Sequence, residues 1–406
     1  MGGMGNFMIK RVCAAIVSLA LVFELGTVTL NAEKETKSDL KKSTQVNTDV
    51  EAEIVTAPSA ILIEASSGQV LYELDADKKM PIASVTKTMT MLLIMEAIDS
   101  GKIRLSDMVT TSEHAASMGG SQVFLEVGEK MSVDEMLKAI AVASGNDAAV
   151  AMAEFISGTE TAFVEQMNKR AAELGAKNTH FINCNGLDET DEHYSSARDI
   201  AIIGAELLKH QKIGKYLTIW MDTIRNGKFG LSNTNKLIRF YDGANGIKTG
   251  STDKAKYCLA AAAKRDNMQL IAVVLGAPTT ADRFSSARKL LDYGFANYSL
   301  ADNSSYKAKI PKIPVKGGMK DSITAKIDGK LNAVVKKGNR EKITVKVKMR
   351  DSVSAPVKKG DKVGTAVFYA GEDELLRRDV ISVESAEKVS CGKMFLRCVK
   401  KWVCFS

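Results

Sequence analysis

Residues 84–98 read SVTKTMTMLLIMEAI, a run that turns apolar side chains to nearly every side of a helix before Ser100-Gly101 ends it. A surface helix keeps one polar face, so a helix of this composition has to be enclosed by other elements. Ser84 and Lys87, three residues apart at its start, therefore enter the interior together. Residues i and i+3 share one helix face, which brings the Lys87 amine within reach of the Ser84 hydroxyl. At a first turn the backbone N–H groups lack partners and the positive dipole end is near, a setting that favours a developing anion. Burial of the turns that follow lowers a lysine pKa toward that of a usable base.

The flanking stretches supply the enclosure. SAILIEA, a Ser-Gly turn and QVLYELDAD (59–77) predict a β-hairpin. SVDEMLKAIAVA opens with a capping box, Ser132 to Glu135, and further helices are expected from Asn146 or Asp147 and over SARDIAIIGAELL. The pattern returns to strands with GIKTGST, KYCLAAAAKR, a turn at Asp266-Asn267 and QLIAVVLGA, before a last helix in ADRFSSARKLLDYGF. Strands at both ends with helices between them predict an antiparallel sheet completed by the two ends of the unit and covered by helices. From about residue 300, DSITAKI, ITVKVKMR and DKVGTAVFYA alternate apolar and polar residues, which predicts four to six short strands and a small all-β domain.

A chain of 406 residues can bury more than one core. Its net charge of +8 suits an acidic partner, whether nucleic acid, anionic lipid or an anionic polymer. Nucleic acid fits least well of the three: the basic residues do not interleave with aromatics, and no zinc-finger or RNA-binding signature is present, so no nucleic-acid partner is expected. Lys10 and Arg11 precede the apolar VCAAIVSLALVF, and Ala32 follows as a small residue, the layout of a signal peptide over 1–32. An uncleaved anchor is the alternative, although the run falls short of the ~20 residues a spanning helix needs; either form exports the rest. Residues 33–56 are polar and charged and read as a flexible leader. If residues 1–32 are removed Cys13 goes with them, leaving Cys184, Cys258, Cys391, Cys398 and Cys404, whose spacing suits neither a zinc site nor a disulfide scaffold. No metal is expected, and these cysteines read as structural.

The tail, CGKMFLRCVKKWVCFS, places Met394, Phe395, Cys398, Val399, Trp402 and Phe405 on one side of a helix. Lys393, Arg397, Lys400 and Lys401 take the other side. That predicts an amphipathic helix over 386–406 lying on an anionic membrane surface, too short and too charged to span it. Packing of the same helix on the β domain is the alternative.

Ser-x-x-Lys occurs seven times in the chain, so Ser84-x-x-Lys87 alone carries little weight. Two further motifs occur once each: Ser144-Gly145-Asn146, in a loop before a helix, and Lys248-Thr249-Gly250, on a predicted strand. All three, in this order, make the set that β-lactamases and penicillin-binding proteins share. The longer stretches SAILIEASSGQVLYELDADKKMPIASVTKTMT, VASGNDAAVAMAE, DGANGIKTGST and KLLDYGFANY are similar to the low-molecular-mass penicillin-binding proteins that are serine-type D-alanyl-D-alanine carboxypeptidases. The resemblance runs from about residue 55 to the C-terminus.

The resemblance implies an α/β fold: a penicillin-binding/β-lactamase-like catalytic domain over 57–298, with an antiparallel sheet flanked by helices. A small β-sandwich over 299–385 and the amphipathic helix complete it. It also implies roles. Ser84 attacks the carbonyl between the terminal D-alanines of a peptidoglycan stem peptide, Lys87 takes its proton, and Ser144 relays a proton to the leaving D-alanine. Asn146 binds the peptide and holds Lys87, while Lys248, Thr249 and Ser251 receive the terminal carboxylate. Ser251 stands where some members carry His. The N–H groups of Ser84 and Ser251 form the oxyanion hole. No cofactor is implied; β-lactam antibiotics would be covalent inhibitors, and the enzyme would act at the outer face of the cytoplasmic membrane.

A β-lactamase shares the motifs, but its Glu-x-x-Leu-Asn loop is missing from NTHFINCNGLDETDEHYSS. A DD-transpeptidase differs only in the acceptor, an amine in place of water. An inactive wall-binding scaffold would be expected to have lost Ser84, Lys87 or Lys248. None of His114, His180, His193 and His210 has a motif that supports a Ser-His-Asp triad. Asp147 reads as a helix cap and HYSSARD as the start of a helix.

Overall fold

Lys87–Asp99 forms helix α1, of which only Glu96 and Asp99 escape full burial. The enclosure that its composition demands is present. The structure, a computed structural model, describes residues 55–187, 190–301, 308–329, 333–337 and 343–390, with residues 392, 393 and 395 of the tail. The expected signal peptide, nearly all of the leader and most of the tail helix lie outside the described residues, as do Cys13, Cys391, Cys398 and Cys404.

Five antiparallel strands make the main sheet: β1 (Ser59–Glu64), β2 (Val70–Leu74), β3 (Ala244–Thr252), β4 (Lys256–Arg265) and β5 (Met268–Ala277), in the order β2-β1-β5-β4-β3. The N-terminal hairpin thus completes a sheet begun by the C-terminal strands, as expected. Asp266 and Asn267, at the β4–β5 turn, both have positive φ (47° and 64°), the requirement of a tight type I′ hairpin. Helices α2 (Val133–Ala141), α3 (Asn146–Ser157) and α4 (Glu160–Glu173) pack around α1, while α5 (Ala197–Leu207) and α6 (Thr280–Asn297) cover the sheet. Gly204 of α5 meets Ile247 and Ile271, whereas Gly294 of α6 meets Leu62 and Leu270. Neighbouring strand residues point to opposite faces, so α5 and α6 cover opposite sides of the sheet. Strand β5, covered on both sides, is accordingly buried almost throughout.

Side-chain caps fix where the helices begin. The Ser132 hydroxyl accepts from the Glu135 N–H, Thr159 from Ala162, Ser196 from Asp199 and Thr279 from Asp282; each cap contributes about 1 kcal/mol. Ser196 bears out the reading of HYSSARD as a helix start.

Beyond α6 the described residues up to 390 form strands and turns, with no helix among them. Strand β6 (Tyr298–Ala301) pairs with β10 (Ala333–Lys336). A three-stranded sheet has the order β8 (Ser322–Ile323), β7 (Ile313–Lys316), β12 (Val353–Ser354), and a four-stranded sheet the order β9 (Ala325–Ile327), β14 (Asp373–Ser382), β13 (Lys362–Ala370), β11 (Ile343–Met349). Ile313, Ile323, Val335, Val363, Phe368 and Val380 share one core. The described residues hold nine strands here rather than four to six, because six of the nine have only two to four residues, too few to show alternation.

Candidate active site

The chain enters α1 through a tight 3-10 turn, Ala83–Thr86, rather than by an α-helix starting at Ser84. Ala83 adopts a left-handed φ of 46°, and the turn's first backbone bond runs from the Val85 N–H to the Ile82 carbonyl. Ser84 stands half-buried at the surface of this turn, with Lys87 fully buried one turn below. Two glycines make the tightness possible. A Cβ on Gly250 would lie 2.7 Å from the Ile82 carbonyl oxygen and 2.9 Å from the backbone nitrogens of Ser84 and Val85. A Cβ on Gly186 would lie 1.9 Å from the Ala83 carbonyl oxygen. Only a residue without a side chain lets β3 on one side and the 183–187 segment on the other reach the turn.

Lys87 Nζ donates to Ser84 Oγ at 3.0 Å, to Asn146 Oδ1 at 2.5 Å and to the Asn185 carbonyl at 2.8 Å. Burial drives its pKa down from the ordinary lysine value to about 7, against the opposing pull of Cys184 and Asp147. Cys184 is itself buried, its thiol pushed well up by burial, which leaves Asp147 as the formal negative charge near the amine at neutral pH. A lysine poised at about 7 offers a free amine beside the hydroxyl without leaving the interior.

Residues 144–147 approach from the start of α3. Ser144 is buried in a left-handed conformation with φ of 65°, uncommon for a residue with a side chain. Asn146 Nδ2 donates to the Gly119 carbonyl at 2.6 Å, so its amide is held with the oxygen toward Lys87. Asp147 lies in the first turn of α3 rather than at its N-cap, which is Gly145. Its carboxylate accepts from Ala148 N–H at 2.9 Å and also from Val123 and Leu125 N–H, each at 3.0 Å, tying the 119–125 segment to the site.

Strand β3 forms the opposite wall. Lys248 is buried and donates to the Thr249 carbonyl at 3.0 Å. Burial, then the positive charges of Lys87 and Arg283, push its pKa well below the ordinary value. Thr249 donates its hydroxyl to that of Thr234 at 2.6 Å, while Ser251, further along the strand, is exposed. Arg283 of α6 donates to the Gly250 and Cys258 carbonyls at 3.2 and 3.3 Å and so anchors β3 from behind.

The structure therefore joins Ser84, Lys87 and Asn146 by direct bonds, couples Lys248 to Lys87 by charge, and lays β3 against the Ser84 turn. Other participants carried no motif. Asn185 acts through its backbone carbonyl, to which residue identity is indifferent, and Thr234 and Arg283 arrive from distant segments. Of the histidines, His114 pairs with Glu160 and His210 with Asp99, while His180 contacts the Glu192 carbonyl. His193 is buried against Thr86, two residues after Ser84. Cys184 and Cys258 are free and buried. Among the described residues no group of three or more His, Cys, Asp or Glu is placed to hold a metal ion, and no helix is long and apolar enough to cross a membrane.

A family model described as D-alanyl-D-alanine carboxypeptidase matches residues 45–279, and one described as Penicillin-binding protein 5, C-terminal domain, matches residues 301–388. The D-alanyl-D-alanine carboxypeptidase DacF of Bacillus subtilis (strain 168) is 48% identical over 353 residues, 86% of this chain and 90% of the relative. The solved structure of penicillin binding protein 5 from Haemophilus influenzae superposes with a TM-score of 0.76 at 33% identity, over 82% of this chain and 98% of that one. Penicillin-Binding Protein D2 of Listeria monocytogenes, solved in the ampicillin-bound form, superposes with a TM-score of 0.55 at 30% identity, over 60% and 99% of the two chains.

Proposed function

The chain belongs to the D-alanyl-D-alanine carboxypeptidase family, and we propose that it removes the terminal D-alanine of peptidoglycan pentapeptide stems through an acyl-enzyme on Ser84. The observation that carries this reading is the Lys87 amine, fully buried, poised at about 7 and 3.0 Å from Ser84 Oγ.

Ser84 Oγ attacks the carbonyl carbon between the two terminal D-alanines while its proton passes to Lys87. Charge develops on the carbonyl oxygen, which the N–H groups of Ser84 and Ser251 receive; the close approach of Gly250 to the Ser84 nitrogen supports this pairing. The carbon–nitrogen bond breaks as Ser144 passes a proton to the departing amine, and D-alanine leaves. Asn146 binds the acyl side of the peptide. Lys248, Thr249 and Ser251 hold the terminal carboxylate, as befits the basic, β3-lined side of the site. Water then attacks the ester and frees the tetrapeptide. A β-lactam follows the first half of this course and remains bound to Ser84.

This reading assigns 57–298 to catalysis and 299–385 to the β domain. It also makes 1–32 an export signal, 33–56 a leader, and 386–406 a helix on the outer, anionic face of the cytoplasmic membrane. The test is a fluorescent penicillin with the full chain, alongside D-alanine release from diacetyl-Lys-D-Ala-D-Ala. Labelling and release that both vanish in Ser84→Ala support the reading. Labelling without release points to an acyl-transferring relative instead, and labelling that survives Ser84→Ala overturns the nucleophile.

A further inference from the structure

His193 carries none of the roles assigned above, yet both of its ring nitrogens are bonded to the frame of the site. Its Nδ1 lies 3.3 Å from the Ile182 backbone nitrogen, which has only a proton to offer. Nδ1 therefore accepts, and the ring is the neutral tautomer with its proton on Nε2. That Nε2–H faces Thr86 Oγ1 at 2.7 Å and donates to it. The Thr86 hydroxyl, with its lone pair so occupied, donates onward to the Ala83 carbonyl at 2.8 Å. All four groups point one way: Ile182 N–H to His193, His193 to Thr86, Thr86 to Ala83.

The chain ends on the residue whose backbone is least favourable in the turn. Ala83 has a side chain and a φ of 46°, a conformation that persists only where the surroundings enforce it. Its carbonyl is enforced by the Thr86 hydroxyl and by the close approach of Gly186. The same planar peptide unit carries the Ser84 N–H. Phe181 packs edge-on to the His193 ring at 5.8 Å, so the imidazole cannot turn away from Thr86 without disturbing a buried aromatic.

We propose that His193 is a positioning residue for this reaction: through Thr86 it fixes the Ala83 carbonyl, and so the direction in which Ser84 presents its hydroxyl and N–H. The proposal rests on Ser84 being the nucleophile. Removing the donor leaves the turn free to relax toward an ordinary α-helical start, in which Ser84 still exists but is misaimed. A displacement of the reacting atoms of this kind slows acylation without weakening substrate binding in proportion.

The experiment compares the full chain with His193→Leu, His193→Gln and Ser84→Ala, reading the rate of labelling by a fluorescent penicillin, kcat and KM for D-alanine release, and the unfolding midpoint. Gln keeps an N–H donor near the Nε2 position; Leu keeps only bulk. His193→Leu is expected to label at least about tenfold more slowly, with kcat reduced and KM nearly unchanged, while His193→Gln stays within about threefold of the parent. Parent-like labelling by His193→Leu overturns the proposal, and so does equal slowing by Leu and Gln, which would make the ring mere filling. If His193→Leu does not fold, Thr86→Val against Thr86→Ser decides: loss of rate in Val alone supports the hydroxyl link, and equal rates overturn it. Failure of the underlying reading shows separately, as labelling that persists in Ser84→Ala.

Discussion

Lys87 Nζ and Ser84 Oγ stand 3.0 Å apart, and the two other partners of the amine, Asn146 Oδ1 and the Asn185 carbonyl, are acceptors only. A protonated Lys87 fills all three with its three N–H groups. The free amine keeps two N–H donors for the fixed acceptors and turns its lone pair toward the serine, whose hydroxyl then becomes the donor. The geometry accommodates both states without moving a heavy atom, and the proton alone decides which is present.

The acylation rate should therefore follow the free amine. With Lys87 at about 7, labelling by a penicillin is expected to rise with pH, reach half its maximum near pH 7 and level off above pH 8. Stopped-time labelling from pH 5 to 9 checks this. A rate already flat from pH 5 upward would remove Lys87 as the base. Lys87→Arg, which stays charged, is expected to lose 10²-fold or more at every pH.

The same shift has a consequence for folding, with its own sign. Lys87 binds its proton more weakly folded than unfolded, so between about 7 and the ordinary lysine value the unfolded chain holds more protons. Stability from this group thus increases as pH rises through that window. Lys248, also lowered by burial, acts in the same direction. Denaturant unfolding at pH 7 and pH 9 should show a smaller gain with pH in Lys87→Met than in the parent.

Asp147 links the loop to the base. In Asp147→Asn one of the buried N–H groups of Val123, Leu125 and Ala148 loses its acceptor, a loss of about 1–3 kcal/mol. The negative charge that raises the Lys87 pKa also disappears. The rise of acylation with pH should consequently move to lower pH in the variant. A profile unmoved from the parent's would show that the carboxylate acts on the loop alone.

Gly186 tests the packing of the turn. Gly186→Ala combines a φ of +82° with a Cβ placed within 2.4 Å of two Ala83 backbone atoms. Either the 183–187 segment or the Ser84 turn must shift. The expected result is a destabilisation of about 2–4 kcal/mol and loss of most labelling, read by denaturant unfolding and gel fluorescence.

Side-chain identity made much of this legible. An apolar circumference over 84–98 can only be an interior helix, and Ser84, Lys87, Asn146 and Lys248 stand out by residue type and spacing, the first three of them joined by direct hydrogen bonds in the structure. Backbone conformation is different. Ala83 and Ser144 are left-handed although neither residue type favours it; Gly186 packs against Ala83, and the 119–125 segment bonds to Asn146 and Asp147 just after Ser144, contacts made between separate segments of the chain. The Asn185 carbonyl is invisible for the same reason: every residue owns one. In the β domain, β8 and β12 have two residues each, too few to display a period.

Ser144 is where conformation and chemistry are opposed. A side chain at φ 65° carries a backbone cost of about 1 kcal/mol or more that glycine would not. Ser144→Gly removes that strain while adding freedom to the unfolded chain, two effects of similar size. Its unfolding midpoint should equal or exceed the parent's. Turnover should nevertheless fall about 10²-fold or more, because the hydroxyl proposed to relay the proton is gone. Ser144→Ala, which keeps the strain and loses the hydroxyl, should be as slow and no more stable than the parent. If Ser144→Gly proved both less stable and fully active, the buried hydroxyl would be serving the fold; a stable, slow variant places it in the reaction.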